Sequence, residues 1–229
     1  MPLPPVVIET LSLRAWALKV VGAPGPADGP PAVTPQAWQT LCAAERAALP
    51  LASRLGEATP PVIQQQALRD TQLSLLRDAA LAQLAGWARE HDTPVVALKT
   101  AAHRVRLPSV DLDVLVPRDR IRELLALLDA RGYRGFMGYV EDLSIHRVHA
   151  PVRAPPEGIS VEVHHELGDG LAIGPELWES LREHQAFPGL FRLPPGREAW
   201  HLLWHSVVPH PHRRGQLGDL LLLAEALGD

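Results

Sequence analysis

The sequence predicts an α+β protein in which a strand-rich core lies between helical N- and C-terminal regions. Short apolar runs rich in β-branched residues concentrate in the middle of the chain, and on both sides apolar residues recur every three or four positions. Strands and long helices do not alternate continuously, so the pattern does not favour a doubly wound sheet. We predict three regions: a helical region at 1–93, an α/β core at 94–170 and a helical region at 171–229.

The N-terminal region is predicted to begin with a short helix at residues 6–20. Residues 22–35 are rich in Pro and Gly without periodicity, which is typical of a flexible loop. Thr34 has the character of an N-cap, and Pro35 fits the first position of the helix that follows. We expect that helix to end at Pro50.

The longest predicted helix covers residues 62–91, where only Gly86 interrupts a helical pattern. Its apolar face is expected to contain Leu68, Leu75, Leu76, Ala79, Leu84 and Trp87. Later helices are predicted at residues 117–132, 175–183, from 197 onward, and 217–227. In the helix that begins at residue 197, Leu202, Leu203, Ser206 and Val207 are expected to face inward.

Two predicted strands lie close together at residues 95–98 and 110–116. Successive side chains on a strand point to opposite faces, so Asp111 and Asp113 share one face of the second strand. Further strands are predicted at residues 133–139, 144–149 and 159–165, and residues 187–195 are predicted to be irregular.

The pair Asp111 and Asp113 predicts a site for a divalent cation. Two neighbouring carboxylates repel each other, and one pKa rises unless a cation compensates both. A hard ion such as Mg²⁺ takes carboxylate oxygens and keeps water that a phosphate displaces. The alternative interpretation is two solvated acids on the exposed face of an edge strand.

Two further residues fit a site for phosphoryl chemistry. Glu162 shares one face of its strand with Ser160 and His164, and it is the candidate for the third carboxylate of a two-metal centre. Lys99 follows the first strand where a helical turn is expected, a position suited to holding a phosphate. Each residue alone also fits an ordinary solvated strand position.

Composition and charge limit the other functions. The chain has 229 residues and a formal net charge of −4, which does not favour broad electrostatic binding of nucleic acid. Its single cysteine, Cys42, excludes an intrachain disulfide and is expected to be a buried helix residue. With no signal peptide and no apolar run of membrane-spanning length, we expect a soluble cytoplasmic protein.

The eleven histidines leave several interpretations open. His201 and His205 are four residues apart on a predicted helix, His210 and His212 follow in a turn, and His164 and His165 are adjacent. They fit structural or surface roles, a share in a substrate pocket, or a zinc site. The His-Glu-x-x-His pattern of metalloproteases is absent, because Leu202 follows His201.

The order of the motifs resembles that of the uncharacterised nucleotidyltransferase-like proteins of bacteria, within the DNA polymerase β-like nucleotidyltransferase superfamily. The resemblance covers roughly residue 34 to the C-terminus. It rests on these segments in this order: Leu98-Lys99-Thr100, Asp111-Leu112-Asp113 with Leu115-Val116, Gly132-Tyr133, Glu162-Val163-His164, His201 to His205, and Asp219-Leu220.

The resemblance implies a small mixed sheet that carries the active site of a nucleotidyltransferase. It implies that Asp111, Asp113 and Glu162 are the catalytic residues and hold one or two Mg²⁺ ions. A nucleoside triphosphate such as ATP would then bind beside them. The nucleotide-binding residues predicted from their positions are Lys99, Thr100, Arg106 and Ser109.

Three departures from the family pattern bear on activity. Thr100 replaces the family glycine, Pro108-Ser109-Val110 stands where active members have a Gly-Ser pair, and Glu162 replaces the commoner Asp. The leading hypothesis is a Mg²⁺-dependent nucleotidyltransferase that acts on a small molecule or a protein. The alternatives are a catalytically degenerate member that serves as a binding or partner module, in a biosynthetic or toxin–antitoxin setting, and a zinc-dependent hydrolase.

Overall fold

The computed structural model of the chain describes residues 5–22, 31–103, 107–109, 111–135, 150, 152–155, 158–168, 170–207 and 216–228. The helices in these residues are α1 (Pro5–Gly22), α2 (Pro35–Glu45), α3 (Ala48–Leu55), α4 (Pro61–Glu90), α5 (Ile121–Ala130), α6 (Pro175–Glu179), α7 (Pro195–Val207) and α8 (Leu217–Gly228). The strands are β1 (Val95–Ala97), β2 (Asp111–Leu115), β3 (Arg134–Gly135), β4 (Arg153–Ala154), β5 (Ser160–His164), β6 (Arg182–Glu183) and β7 (Leu190–Arg192). The predicted strand at 144–149, most of the one at 133–139 and residues 23–30 of the predicted loop lie outside the described residues.

The strands form one mixed sheet in the order β3-β4-β5-β2-β1-β7-β6. Strand β2 is antiparallel to β1 and parallel to β5, and β1 is parallel to β7. The α+β class with helices on both sides of a small mixed sheet is therefore confirmed. The prediction of irregular structure at 187–195 was wrong, because β7 joins the sheet beside β1 through contacts that are remote in sequence.

Helix α2 begins where the sequence predicts, but it does not end there. Thr34 caps α2, since its Oγ1 accepts a hydrogen bond from the Ala37 N–H at 3.3 Å. Helix α2 ends earlier than expected, where Arg46 takes a left-handed conformation with φ of 52°. Pro50 does not end a helix but lies in the first turn of α3, where its missing N–H costs no hydrogen bond.

Helix α4 exists as predicted, and Leu84 and Trp87 of its predicted apolar face are buried, but the three leucines nearer its N-terminus are not. Leu68, Leu75 and Leu76 are exposed by 63, 59 and 44%. Buried positions recur along the helix in steps of four and three, at Ile63, Ala67, Asp70, Ser74, Arg77, Leu81, Leu84 and Ala88, and Ala80, Ala85 and Trp87 beside them are buried as well. The prediction failed because the N-terminal half of α4 packs on α1–α3 and its C-terminal half on the sheet, with polar side chains buried between the two cores.

The two faces of the sheet differ in what covers them. Leu112 and Val114 of β2 pack with Leu81 and Leu84 of α4 and with Leu124 of α5 in the larger core. The opposite face contributes side chains to a smaller core that contains Val96, Leu98, Leu115, Leu167 and Leu193. Because side chains alternate along β2, its two aspartates lie on the face turned away from α4 and α5.

The C-terminal helices pack on each other, with Leu202 and Leu222 in a shared cluster. Leu203 and Val207 are exposed by 45 and 39%, so their predicted inward orientation was wrong. None of the helices within the described ranges combines the length and the apolar composition that a membrane span requires.

Candidate active site

The register between β2 and β5 brings the candidate ligands together. Asp113 lies opposite Glu162, and Leu115 lies opposite His164, in a parallel pairing. Since alternate residues share a face, Glu162 and His164 both lie beside Asp113. Ligand atoms of Asp113, Glu162 and His164 all lie within 4.8 Å of one another. These residues form what we call the acidic cluster.

Asp113 is the most buried member of the cluster, with 4% of its side chain exposed. Its Oδ1 lies 2.5 Å from the Lys99 ammonium and 3.1 Å from His164 Nε2. Burial alone raises the pKa of a carboxyl, but the charges and hydrogen bonds of Lys99 and His164 outweigh it and hold the pKa of Asp113 well below its usual range. Asp113 is therefore a carboxylate ion that is paired with the Lys99 ammonium and accepts a hydrogen bond from His164.

His164 is the partner that sequence reasoning did not assign to the site. Burial acts to lower its pKa, but hydrogen bonds to Asp113 and Glu162 raise the pKa above its ordinary value. The shared face of Ser160, Glu162 and His164 was visible in the sequence. Its contact with Asp113 depends on the pairing of two strands that lie 49 residues apart.

Lys99 reaches Asp113 from a strained turn. The backbone of Lys99 has φ of 50°, in the left-handed region that costs an L-residue about 1–2 kcal/mol. The residue begins a 3₁₀ turn at Lys99–Ala101, directly after β1. Strained residues persist where the surroundings over-determine them, and they concentrate at functional sites. Thr100 follows within this turn, in the place of the family glycine.

Asp111 lies apart from the acidic cluster. It begins β2 opposite Ser160, and its Oδ1 accepts a hydrogen bond from Ser109 Oγ at 2.6 Å. The segment before Asp111 is held by Arg46, the residue that caps the C-terminal end of α2. Arg46 Nη2 donates a hydrogen bond to the Pro108 carbonyl at 2.6 Å. The two predicted aspartates therefore have different surroundings. The alternative of two solvated acids on an edge strand was wrong for Asp113, because β2 is an interior strand and Asp113 is buried.

The donor set of the acidic cluster fits a divalent cation. The two carboxylates provide the hard oxygen ligands that Mg²⁺ and Mn²⁺ prefer, and the imidazole adds one nitrogen ligand of the kind that Zn²⁺ and Fe²⁺ favour. The proximity of three ligand atoms in a largely buried position is the observation that supports this fit.

The remaining candidates fall elsewhere. Arg106, His210 and His212 lie outside the described residues, and the predicted role of Arg106 stays a prediction. The rings of His201 and His205 are tilted by 44° with centroids 6.1 Å apart, and no three-residue metal-ligand group found in the described ranges includes them. Cys42 is buried, and burial raises the pKa of its thiol to about 11, as expected for a structural cysteine.

Comparison with known proteins identifies a matching family and solved structures with a related fold. Residues 31–226 match a family described as uncharacterised nucleotidyltransferase. A solution structure of the antibiotic-resistance factor ANT(2'')-Ia is 16% identical and aligns with a TM-score of 0.43, covering 68% of this chain and 88% of that chain. A similarity at this level indicates nothing about the activity of this chain. No curated protein matches the sequence.

Proposed function

Because the chain belongs to the uncharacterised nucleotidyltransferase family, as the resemblance predicted, we propose that it transfers a nucleotidyl group from a nucleoside triphosphate to a small-molecule or protein acceptor. The proposal includes Mg²⁺ as the cation and the acidic cluster as the place where it binds. The observation that carries it is the convergence of Asp113, Glu162 and His164 with Lys99 beside them.

The cation contributes charge neutralisation at the phosphates, where negative charge is spread over several oxygens during transfer. Asp113, Glu162 and His164 would hold it, with the carboxylate of Glu162 adding negative charge to that of Asp113, which is already paired with Lys99. Strand β2 places Asp111 on the same face as Asp113. The hydrogen bond from Ser109 would hold the Asp111 carboxylate in place at the start of β2, next to the acidic cluster on that face.

Lys99 and Glu162 have distinct parts in this proposal. The Lys99 ammonium, with 15% of its side chain exposed, is accessible at the edge of the cluster and would bind phosphate oxygens. Glu162 keeps 17% of its side chain exposed, more than Asp113, and would accept the proton of the acceptor nucleophile.

A second candidate function has its own observation. Asp111 does not join the acidic cluster, and Lys99 and His164 both contact the one oxygen of Asp113. This arrangement supports a degenerate member that binds a nucleotide or a partner protein without turnover. The two candidates share the fold and differ in whether a nucleotide is consumed.

Calorimetric titration of ATP, GTP, CTP and UTP, each with and without Mg²⁺, tests the proposal. We expect wild-type protein to bind at least one triphosphate only when Mg²⁺ is present. Asp113→Asn should weaken that binding at least tenfold, which is about 1.4 kcal/mol. Asp119→Asn is the matched control, since Asp119 is a carboxylate with 80% of its side chain exposed, outside the cluster.

Each result has a defined meaning. Mg²⁺-dependent binding that is lost in Asp113→Asn and kept in Asp119→Asn supports the catalytic proposal, and acceptor screening with product detection by mass spectrometry follows. Triphosphate binding that needs neither Mg²⁺ nor the Asp113 carboxylate contradicts the role of the acidic cluster. Binding without any product favours the degenerate candidate.

A further inference from the structure

His184 connects the far edge of the sheet to the turn that carries Lys99. It follows β6 and is 6% exposed. Its Nε2 lies 3.0 Å from the carbonyl oxygen of Ala101, a residue 83 positions earlier in the chain. Its Nδ1 lies 3.2 Å from the backbone nitrogens of both Ala186 and Phe187.

The hydrogen bonds assign the tautomer of this imidazole. The N–H groups of Ala186 and Phe187 both donate to Nδ1, so Nδ1 carries no proton. The proton is therefore on Nε2 and is donated to the Ala101 carbonyl. Burial, helped by the nearby Arg192 and Arg77, lowers the pKa of His184 against the opposing effects of the Ala101 carbonyl and Glu198. The neutral form required by this geometry is thus the favoured one.

The contact from His184 adds a hydrogen bond from outside to the turn at Lys99. It is three residues long, and its backbone hydrogen bonds run from Ala101 N–H to Leu98 O and from Ala102 N–H to Lys99 O. Two local bonds are a small compensation for the left-handed Lys99 backbone, which costs about 1–2 kcal/mol. The His184 bond holds the carbonyl at the end of the same turn from a separate part of the sheet.

We propose that His184 is a positioning residue that fixes the Ala101 carbonyl and thereby keeps the Lys99 ammonium against Asp113. The inference rests on the proposed function only for its catalytic consequence, since the position of Lys99 can be measured without any substrate. His184 itself touches neither the acidic cluster nor the site where phosphate would bind, and it acts through the backbone of residues 99–101.

Two substitutions separate the two nitrogens of His184. In His184→Gln the amide nitrogen can take the place of Nε2 and still donate to Ala101. In His184→Asn the amide oxygen can take the place of Nδ1 and accept from Ala186 and Phe187, but no donor reaches Ala101. A cavity of about 330 Å³ borders His184, so either amide side chain can be accommodated without a clash.

The chain offers a direct probe of Lys99, because its only two lysines are Lys19 and Lys99. Protein labelled with ε-¹³C, ζ-¹⁵N lysine gives two side-chain signals, which Lys19→Arg assigns. Asp113→Asn defines the signal of Lys99 without its ionic partner. We expect His184→Asn to move the Lys99 signal toward that position and His184→Gln to leave it near the wild-type value. Amide exchange at Ala101 and Ala102 should accelerate at least tenfold in His184→Asn alone.

The proposal has clear contrary outcomes. The proposal would be overturned if His184→Asn left both the Lys99 signal and the amide exchange of the turn unchanged. Equal changes in both variants would also overturn it, and would point to the Ala186–Phe187 contacts instead. If His184→Asn does not fold, long-range ¹H–¹⁵N spectra of the wild-type imidazole, assigned with His184→Gln, decide: a proton on Nδ1 overturns the proposal and a proton on Nε2 supports it. If the Lys99 signal moves as expected while binding of Mg²⁺–ATP does not change, the inference stands and the phosphate-binding role of Lys99 fails.

Discussion

A double-mutant cycle on Lys99 and Asp113 measures how strongly the site is held together. The two charges are 2.5 Å apart, and their side chains are only 15 and 4% exposed. Removing one member of a buried ion pair costs about 3–5 kcal/mol, because the other charge stays buried. His164 remains beside Asp113 and compensates part of that charge. We therefore expect Lys99→Met to lower the free energy of unfolding by about 3 kcal/mol.

The coupling energy is the quantity that tests the structure. Urea unfolding of wild type, Lys99→Met, Asp113→Ala and the double variant at pH 7 should give a coupling of about 2 kcal/mol, as for hydrogen bonds between charged groups. A matched cycle on Arg120 and Glu123 provides the control. That pair is 3.1 Å apart, but its side chains are 40 and 48% exposed, so its coupling should stay below about 1 kcal/mol.

The pH dependence of the Lys99–Asp113 coupling has a defined sign. The pKa of Asp113 is lower in the folded protein than its unfolded value of about 3.9, so its contribution is present above that pH and is lost as the pH falls through the folded pKa. The coupling should therefore be present at pH 7 and shrink as the pH falls below about 4. If the Lys99–Asp113 and Arg120–Glu123 pairs have equal coupling energies at pH 7, the prediction of a strong, buried Lys99–Asp113 interaction is wrong.

Two further predictions concern stability. His103 lies 3.2 Å from Glu198. Burial lowers the pKa of His103, but its carboxylate neighbours outweigh burial and raise the pKa above its ordinary value. The difference in unfolding free energy between wild type and His103→Gln should therefore be largest below the unfolded pKa of about 6.5 and decline as the pH rises through the folded pKa. A difference that grows with pH would contradict this sign. Leu81 is 1% exposed and Leu75 is 59% exposed on the same helix, so Leu81→Ala should cost about 2–5 kcal/mol in urea unfolding and Leu75→Ala less than about 0.5 kcal/mol. Similar costs at both positions would contradict the observed face of α4.

Features with a local cause could be predicted from the sequence. The N-cap at Thr34 depends on residues within one turn, and the shared face of Asp111 and Asp113 depends only on the alternation of a strand. The existence of α4 follows from a periodic pattern over 30 residues. The family was also accessible, because the order of short motifs along the chain is itself a sequence property.

The buried face of α4 was decided by tertiary packing. Apolar residues occur around much of this helix, and the choice among them depends on the two cores that contact its halves. Propensity and periodicity carry no information about those partners. The same reason explains β7, whose three residues become a strand because β1 offers an open edge.

The sequence by itself determined the strand with two aspartates, the acid and histidine on a later strand, and the lysine that ends the first strand. Only the tertiary structure decided which of these meet. The parallel register of β2 and β5 joins Asp113 to Glu162 and His164 and leaves Asp111 with Ser109, and the left-handed backbone at Lys99 turns its ammonium toward Asp113. These contacts depend on hydrogen bonds between segments far apart in the chain, which a one-dimensional pattern of residue types does not specify.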